Sequence, residues 1–296
     1  MKFKHRKLKY VSLEVENKMT LSTDLAPIWL GEPAQPSLES QLEWLYQREP
    51  FFRLQYGSVG VLLPTWFENG IEESINTFSL DIDAKPAVGA SLWLKSFTAH
   101  LFSGLAALRL KFNRVLVPRF EQISLDVADN GKLKRVGVAT DCAFYCLAND
   151  PLANTAQAKV VNSEQELDQA LTDLVRGIGH YLAPTFKQLK VNTPQFWGSV
   201  GYALGLVFQK LTQHGIDSEL SEKVQPVADA WLESVLPDYA ELNTVKTATQ
   251  GDIGIFYIRR ETCCLKYKLD GKNNCATCQQ RDPVAQLSLY QAKVPA

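Results

Sequence analysis

The sequence has no long hydrophobic run and almost no net charge. Its most apolar stretches, such as FSGLAALRLKF and GYALGLVF, are short and broken by Gly, Ser, Arg or Lys, well below the roughly 18 apolar residues of a membrane-spanning helix. With 31 basic and 32 acidic side chains the net charge is −1, so no global electrostatic argument supports nucleic-acid binding. A hydrophobic fraction of 46% over 296 residues predicts a globular chain with a sizeable core.

Motifs for nucleotide cofactors and for hydrolysis are also missing. No G-x-G-x-x-G follows a strand pattern, and no flavin motif is present, so we expect that the chain does not take hydride from NAD(P)H itself. Spacing places no Ser-His-Asp set and no catalytic pair of carboxylates. Any redox activity therefore needs electrons from a partner protein.

The N-terminus lacks the apolar segment of an export signal. Five of the first nine residues are Lys or Arg, but YVSLEVENKM follows where such a signal is apolar. We therefore predict a cytoplasmic protein. The basic leader is either solvated or touches the inner face of the membrane as a peripheral contact. Residues 1–36, which end in a proline-rich stretch, are predicted to form this leader and an extended lead-in.

Helical patterns dominate the rest of the chain. Ser37 is a predicted N-cap for a helix that carries Leu38, Leu42 and Leu45 on one face. Pro86 opens a long helix to about residue 111. Caps at Ser163 and at Asn192 or Thr193 begin two more helices, of which Pro184 bends or ends the first, and a fourth spans about 218–235. In the helix after Asn192, three glycines near one face indicate close packing of another backbone: Gly198, Gly201 and Gly205.

Strand patterns are fewer. Apolar and polar residues alternate in QISLDVADNGKLKRVGV on both sides of a tight turn at residues 129–132, which predicts a hairpin. The fold class is therefore α+β, a mainly helical body with a small antiparallel sheet. We predict a body at 37–250 and a separate C-terminal segment at 251–296.

Four of the six cysteines lie in one stretch near the C-terminus, RRETCCLKYKLDGKNNCATCQQR. Their spacing is C-C-x10-C-x2-C, and the connection can turn at Asp270 and Gly271 to bring the second pair back to the first. Four soft thiolate ligands favour zinc or an iron–sulfur cluster. The candidate metal ligands are Cys263, Cys264, Cys275 and Cys278.

The cysteine spacing only partly distinguishes a zinc site from an iron–sulfur cluster. Adjacent Cys263 and Cys264 diverge on an extended backbone and would be strained around one small tetrahedral ion. A two-iron cluster is broader and gives them separate directions, which favours iron–sulfur over zinc. Disulfides fit less well, because adjacent cysteines do not easily bond each other and a cytosolic chain rarely keeps disulfides.

The stretch RRETCCLKYKLDGKNNCATC resembles the C-terminal signature of the FhuF-type siderophore ferric reductases, and FWGSVGYAL at 196–204 is similar to a tryptophan-containing helix of that family. The resemblance implies a [2Fe-2S] cluster on the four cysteines. It also implies one-electron reduction of Fe(III) held by a siderophore of the hydroxamate type, with release of Fe(II). The location that it implies is the cytoplasm or the inner face of the membrane. On this resemblance we expect the body at 37–250 to form a siderophore-facing cleft and the C-terminal segment at 251–296 to bind the [2Fe-2S] cluster.

Basic residues surround the cysteines. Between 259 and 272 there are five basic and two acidic residues, so this segment is either a solvated flank or a charged surface for cluster and partners. Arg260 and Lys266 are candidates for tuning the cluster or contacting the substrate, and Trp197 for a place between cluster and core. We expect a ferredoxin or a similar protein as electron donor. Core positions are predicted for Cys142, Cys146, His100 and His180.

Two other functions remain open from the sequence. One is a zinc-stabilised structural or interaction protein, in which the thiolates only fasten the C-terminus. The other is a siderophore-binding iron–sulfur protein without turnover.

Overall fold

The fold is described for residues 37–295 of a computed structural model. Helices α1 to α8 span Leu38–Arg48, Leu63–Asn69, Ile71–Asp81, Pro86–Phe112, Glu164–Gln188, Thr193–Leu211, Ser218–Val235 and Pro283–Gln291. Strands β1 to β10 span Leu54–Tyr56, Val61–Leu62, Arg114–Val117, Ile123–Val127, Leu133–Val138, Ala143–Leu147, Ala158–Val161, Ile216–Asp217, Asn243–Gln250 and Ile253–Arg260. The α+β class is confirmed. The predicted leader and lead-in, 1–36, lie outside the described residues.

The long helix α4 is the central scaffold. Pro86 stands at its start, as predicted, and Asn113 ends it in the left-handed region at φ 51°. The predicted apolar face is buried, and so are the small residues on the other faces, so that α4 is covered on nearly all sides. It packs along α6 and also contacts α3, α5 and β5. Residues on different faces of α4 therefore contact different helices and strands.

The strands form three small sheets. The predicted hairpin is β4 and β5, and the strand order of its sheet is β1-β5-β4-β2 with β1 parallel to β5. The second sheet has the order β3-β6-β7 with β6 parallel to β7. The third has the order β8-β10-β9 and is antiparallel. This third sheet leads directly into the cysteine segment.

Helix α5 begins as the sequence predicts, because Ser163 accepts a hydrogen bond from the N–H of Glu166 at 3.2 Å. The prediction that Pro184 can end the helix is wrong, since α5 continues to Gln188. Pro184 is exposed, so water can reach the carbonyl group that loses its partner. Leu182 and Phe186, both buried, hold the last turn in the core.

Helix α6 is capped reciprocally by Asn192 and Gln195, whose side chains each accept from the other's backbone N–H. Its glycine face is confirmed as a site of close packing, although the neighbours are side chains rather than backbone. Gly198 faces Thr262, and Gly205 faces Ile258. The absence of side chains on this face lets the third sheet lie directly on α6.

The third sheet and the helices beneath it form one packed unit. Strand β9 packs on α7, and β10 on α6. The boundary predicted at 250/251 falls in the turn between the paired strands β9 and β10, and the division into body and C-terminal segment stays a prediction. Within 37–295, none of the helices combines the length and the apolar character needed to cross a membrane.

Candidate metal centre

The first cysteine pair follows β10, which ends at Arg260. Thr262 fixes the chain just before the pair, because its side chain occupies the space that a Cβ atom at Gly198 would need. The N–H of Glu261 donates to the carbonyl of Leu242 at 2.9 Å. The backbone is therefore held in place immediately before Cys263 and Cys264, at the end of the sheet.

The second pair lies in a tight turn that α8 holds in place. The N–H of Cys278 donates to the carbonyl of Cys275 at 3.1 Å. Arg281 Nε donates to the same carbonyl at 2.9 Å. Buried Gln286 of α8 donates through Nε2 to the carbonyl of Ala276 at 2.6 Å. These bonds satisfy the turn's carbonyl groups and hold the turn next to β10.

The four sulfurs meet as two pairs, each with one member from each segment. The Sγ atoms of Cys264 and Cys275 lie 4.0 Å apart. The thiols of Cys263 and Cys278 are close enough to act on each other electrostatically. Cys263, Cys264 and Cys278 are buried, whereas Cys275 is half-buried and lies nearest to solvent. The structure thus brings together all four cysteines singled out in the sequence.

Backbone donors and neighbouring charges act on these thiols. The N–H of Leu265 donates to Cys263 Sγ at 3.3 Å, although burial dominates and raises the pKa of Cys263. A hydrogen bond from Cys275 lowers the pKa of Cys264 to about 4, helped by the charges of Lys95 and Arg260 and opposed by burial. The same hydrogen bond raises the pKa of Cys275. Cys264 is therefore ready to bind a metal as a thiolate.

Arg260 is a buried cation beside the first pair, with an exposed fraction of 1%. Its Nη2 donates to the hydroxyl oxygens of Ser199 and Thr262, each at 3.3 Å. Its Nε and Nη1 have no hydrogen-bond partner among residues 37–295. Since a buried guanidinium with free donors is costly, these two groups fit an anionic neighbour.

Lys95 of α4 is a second cation at this site, and no pattern in the sequence marks it. Its Nζ lies 4.9 Å from the ring centroid of Tyr202, and Arg260 Cζ lies 5.0 Å from the same centroid. The charge of Lys95 acts on both Cys264 and Cys275. The residue is 168 positions away from Cys263 in the chain, and only the packing of α4 on α6 brings them together.

Two other predicted residues lie in different surroundings. Lys266 is exposed, and its backbone N–H acts electrostatically on the thiol of Cys264. Trp197 is buried, stacks on Tyr239 with centroids 4.7 Å apart and meets His180 edge-on at 5.3 Å. The tryptophan thus packs toward α5, while its neighbour Gly198 faces the cysteine segment.

The donor set fits a [2Fe-2S] group. Two cysteine pairs, one with sulfurs 4.0 Å apart, would supply the four thiolate ligands that such a group takes. The free donors of Arg260 fit the negative charge of a metal group with four thiolates. Between residues 37 and 295, no three His, Cys, Asp or Glu side chains converge on one point as ligands of a single ion would.

Two clefts lie elsewhere on the described surface. A cleft of about 780 Å³ is lined by residues of α1, of β1 and of the loop between them, among others, and includes Arg53 and Tyr56. Leu54, also in its lining, packs on Gly104, which is about 13 Å along α4 from Lys95 and on the opposite face of the helix. A cleft of about 360 Å³ is lined by aromatic residues that include Tyr145. Neither lining includes one of the four cysteines, so neither is assigned as the expected siderophore-facing cleft.

The cysteines and histidines with predicted core positions differ in their burial. Cys142 and Cys146 are fully buried in the core, as expected. His100 is buried, but its Nδ1 has no partner among the described residues, and burial followed by the charge of Arg53 lowers its pKa to about 4. The core prediction for His180 is wrong, because this residue is exposed on the outer side of α5.

Comparisons with known proteins agree with this geometry. No curated protein matches the chain. Residues 91–253 match the family described as ferric iron reductase FhuF-like transporter, and residues 260–278 match the FhuF 2Fe-2S C-terminal domain. The second match begins at Arg260 and ends at Cys278, so it contains all four paired cysteines. The chain therefore belongs to the FhuF-like ferric iron reductase family and carries that family's [2Fe-2S] domain.

Proposed function

We propose that this protein is a ferric-siderophore reductase whose [2Fe-2S] cluster is held by Cys263, Cys264, Cys275 and Cys278. It passes one electron to Fe(III) in the siderophore, and the iron leaves as Fe(II). The single observation that carries the proposal is the meeting of the four thiols as two pairs within the stretch that matches the 2Fe-2S domain.

The chemistry of the substrate makes reduction sufficient for release. Fe(III) is a hard cation that the anionic oxygens of a siderophore hold strongly, and Fe(II) is held by the same oxygens much less strongly. One electron therefore releases the metal without breaking a covalent bond of the siderophore. When bound, the cluster supplies single-electron transfer.

Some residues of the chain would hold the cluster, and others supply positive charge beside it. The four cysteines would hold the cluster as thiolates, and Thr262, packed on Gly198, fixes the approach to the first pair. Arg260 supplies a buried positive charge with free N–H donors next to Cys264. This charge favours the reduced, more negative state of the cluster.

The side of Cys275 is the proposed place of electron entry and exit. Cys275 is the least buried of the four cysteines, and exposed lysines precede it in the same loop, among them Lys266 and Lys268. Positive charge there suits an acidic electron donor and an anionic siderophore.

The finer assignments rest on the family resemblance and on the sequence. The substrate is a hydroxamate siderophore, and the donor is a ferredoxin or a similar one-electron carrier, because the sequence has no dinucleotide motif. The protein acts in the cytoplasm or on the inner face of the cytoplasmic membrane.

The test is a visible spectrum and a low-temperature EPR spectrum of the protein purified without oxygen, before and after dithionite. A red-brown protein that bleaches and then gives an S = 1/2 signal supports the cluster. Colourless protein with stoichiometric zinc would refute it and identify the cysteine segment as a structural clasp. The second step offers a ferric hydroxamate siderophore to the dithionite-reduced protein and follows Fe(II) with a ferrous chelator.

Two variants separate catalysis from structure. Cys275→Ser removes a proposed ligand at the least buried position and is expected to abolish Fe(II) production with the fold retained by circular dichroism. Cys146→Ala removes a core thiol that contacts none of the four and is expected to keep both the cluster spectrum and Fe(II) production. A cluster without Fe(II) production in the unaltered protein would instead indicate a siderophore-binding protein without turnover.

A further inference from the structure

The ring of Tyr202 lies beside two cations at the candidate metal centre. Lys95 Nζ is 4.9 Å from the ring centroid and Arg260 Cζ is 5.0 Å from it. The three residues come from α4, α6 and the end of β10. Tyr202 is buried, with an exposed fraction of 8%. The aromatic ring thus holds two like charges close together in a place that solvent screens poorly.

Both charges lie on the side of the Cys264 and Cys275 pair. The charge of Lys95 acts on both of these thiols, and that of Arg260 acts on Cys264. The main influences on Cys263 are burial, the N–H of Leu265 and two neighbouring thiols. Arg260 ends β10 three residues before Cys263, so the two cations beside Tyr202 lie next to the start of the cysteine segment.

Bringing two cations together costs free energy, and the described residues offset it only in part. Arg260 is held by Ser199 and Thr262 through Nη2 only, and its other two donor groups are free. No carboxylate within residues 37–295 forms an ion pair with Lys95 or Arg260 within 4.0 Å. An anionic group held by the cysteines would balance both charges, and more so after it gains an electron.

We propose that Lys95, placed by Tyr202 next to Arg260, sets the reduction potential of the group that the four cysteines hold. The proposal rests on the proposed function, since it needs a redox group at these cysteines. On reduction that group gains one electron from the donor and one negative charge, and no bond forms or breaks. Lys95 stabilises this added charge from α4, outside the cysteine segment. Lys95 acts through its positive charge and is not itself a ligand of the group.

The experiment is a redox titration of the intact protein, followed by visible absorbance and by the EPR signal. Lys95→Met is expected to reduce the equilibrium constant for one-electron reduction about tenfold, which corresponds to a potential about 59 mV lower. Lys95→Arg keeps a positive charge and is expected to restore the potential. If the role of Lys95 were purely structural, the reduction potential would not depend on whether residue 95 carries a positive charge.

Lys159→Met is the matched control, because Lys159 Nζ lies 5.3 Å from the ring centroid of Tyr145 in a similar contact, but in the second sheet. We expect its potential to equal that of the unaltered protein. The proposal is overturned if Lys95→Met leaves the potential unchanged, or if Lys159→Met lowers it as much. Failure of the proposed function looks different, since the unaltered protein would then lack the cluster absorbance or would produce no Fe(II) from the ferric siderophore.

Discussion

The side chain of Thr262 packs against the Cα atom of Gly198, so that no Cβ atom fits between α6 and the start of the cysteine segment. Thr262 is branched at Cβ and buried, and therefore has little freedom to move away. We expect Gly198→Ala to displace Thr262, to cost about 1–3 kcal/mol of unfolding free energy and to lower the cluster absorbance per mole of protein. Urea unfolding and visible spectra measure the two effects.

Gly177→Ala is the control for this substitution. Gly177 also lies inside a helix, α5, and a Cβ atom placed there has no heavy atom within 4 Å. Alanine is favoured over glycine in a helix by about 0.5–1 kcal/mol, so the variant should be as stable as the parent or more stable, with full absorbance. Equal behaviour of the two variants would contradict the packing role of Gly198.

We expect buried His100 to lower the stability of the protein in mild acid. Its folded pKa is lowered to about 4 by burial and by the charge of Arg53, whereas the pKa of an unfolded histidine is about 6.5. Between these values only the unfolded chain binds the proton, so the free energy of unfolding falls as the pH drops, by up to about 3 kcal/mol at pH 4. Above about pH 7 this histidine has no effect.

Urea unfolding of the parent and of His100→Leu at pH 7.5 and at pH 5 tests this dependence. The variant should lose less stability over the interval than the parent, because it has no proton to bind at this position. Equal losses of unfolding free energy in both proteins would show that burial does not lower the folded pKa of His100.

Asp168 fastens three helices around a buried arginine. Its Oδ1 accepts from Arg109 Nε at 2.8 Å and from Trp231 Nε1 at 2.9 Å, and Arg109 is fully buried. Asp168→Asn weakens the balance of that charge and should cost about 3 kcal/mol of unfolding free energy. Asp173→Asn, at an exposed position of the same helix, should change it by less than about 0.5 kcal/mol. Comparable losses would contradict the role assigned to Asp168.

The local features of the fold could be predicted from the sequence because they depend on near neighbours. Ser37 caps α1 by accepting from the N–H of Ser40, and Pro86 and Asn192 begin helices where their chemistry requires it. The cysteine spacing likewise predicts a metal site, since each segment brings two thiols within a few residues. Pairing across the two segments was not visible in the spacing alone.

The remaining features depend on contacts between distant parts of the chain. Lys95 reaches the site only because α4 lies against α6, and no local pattern marks it. The parallel pairing of β1 with β5 joins strands about eighty residues apart. His180 lies in an apolar stretch but on the outer face of α5, so the composition of the stretch could not decide its burial.

The exposed lysines of the cysteine loop should control the rate of electron uptake and leave the potential unchanged. Lys266 and Lys268 are both exposed, so solvent screens their effect on the buried sulfurs, whereas a docking acidic protein meets them directly. For Lys266→Gln combined with Lys268→Gln we expect a several-fold slower reduction by a reduced acidic ferredoxin at low salt, with a weaker dependence on ionic strength than in the parent. Stopped-flow absorbance measures the rate, and a redox titration checks that the potential is retained. Lys159→Met, far from the loop in sequence, is the control and should keep the parent's rate. A double variant with the parent's rate at every salt concentration would place the docking surface elsewhere on the protein.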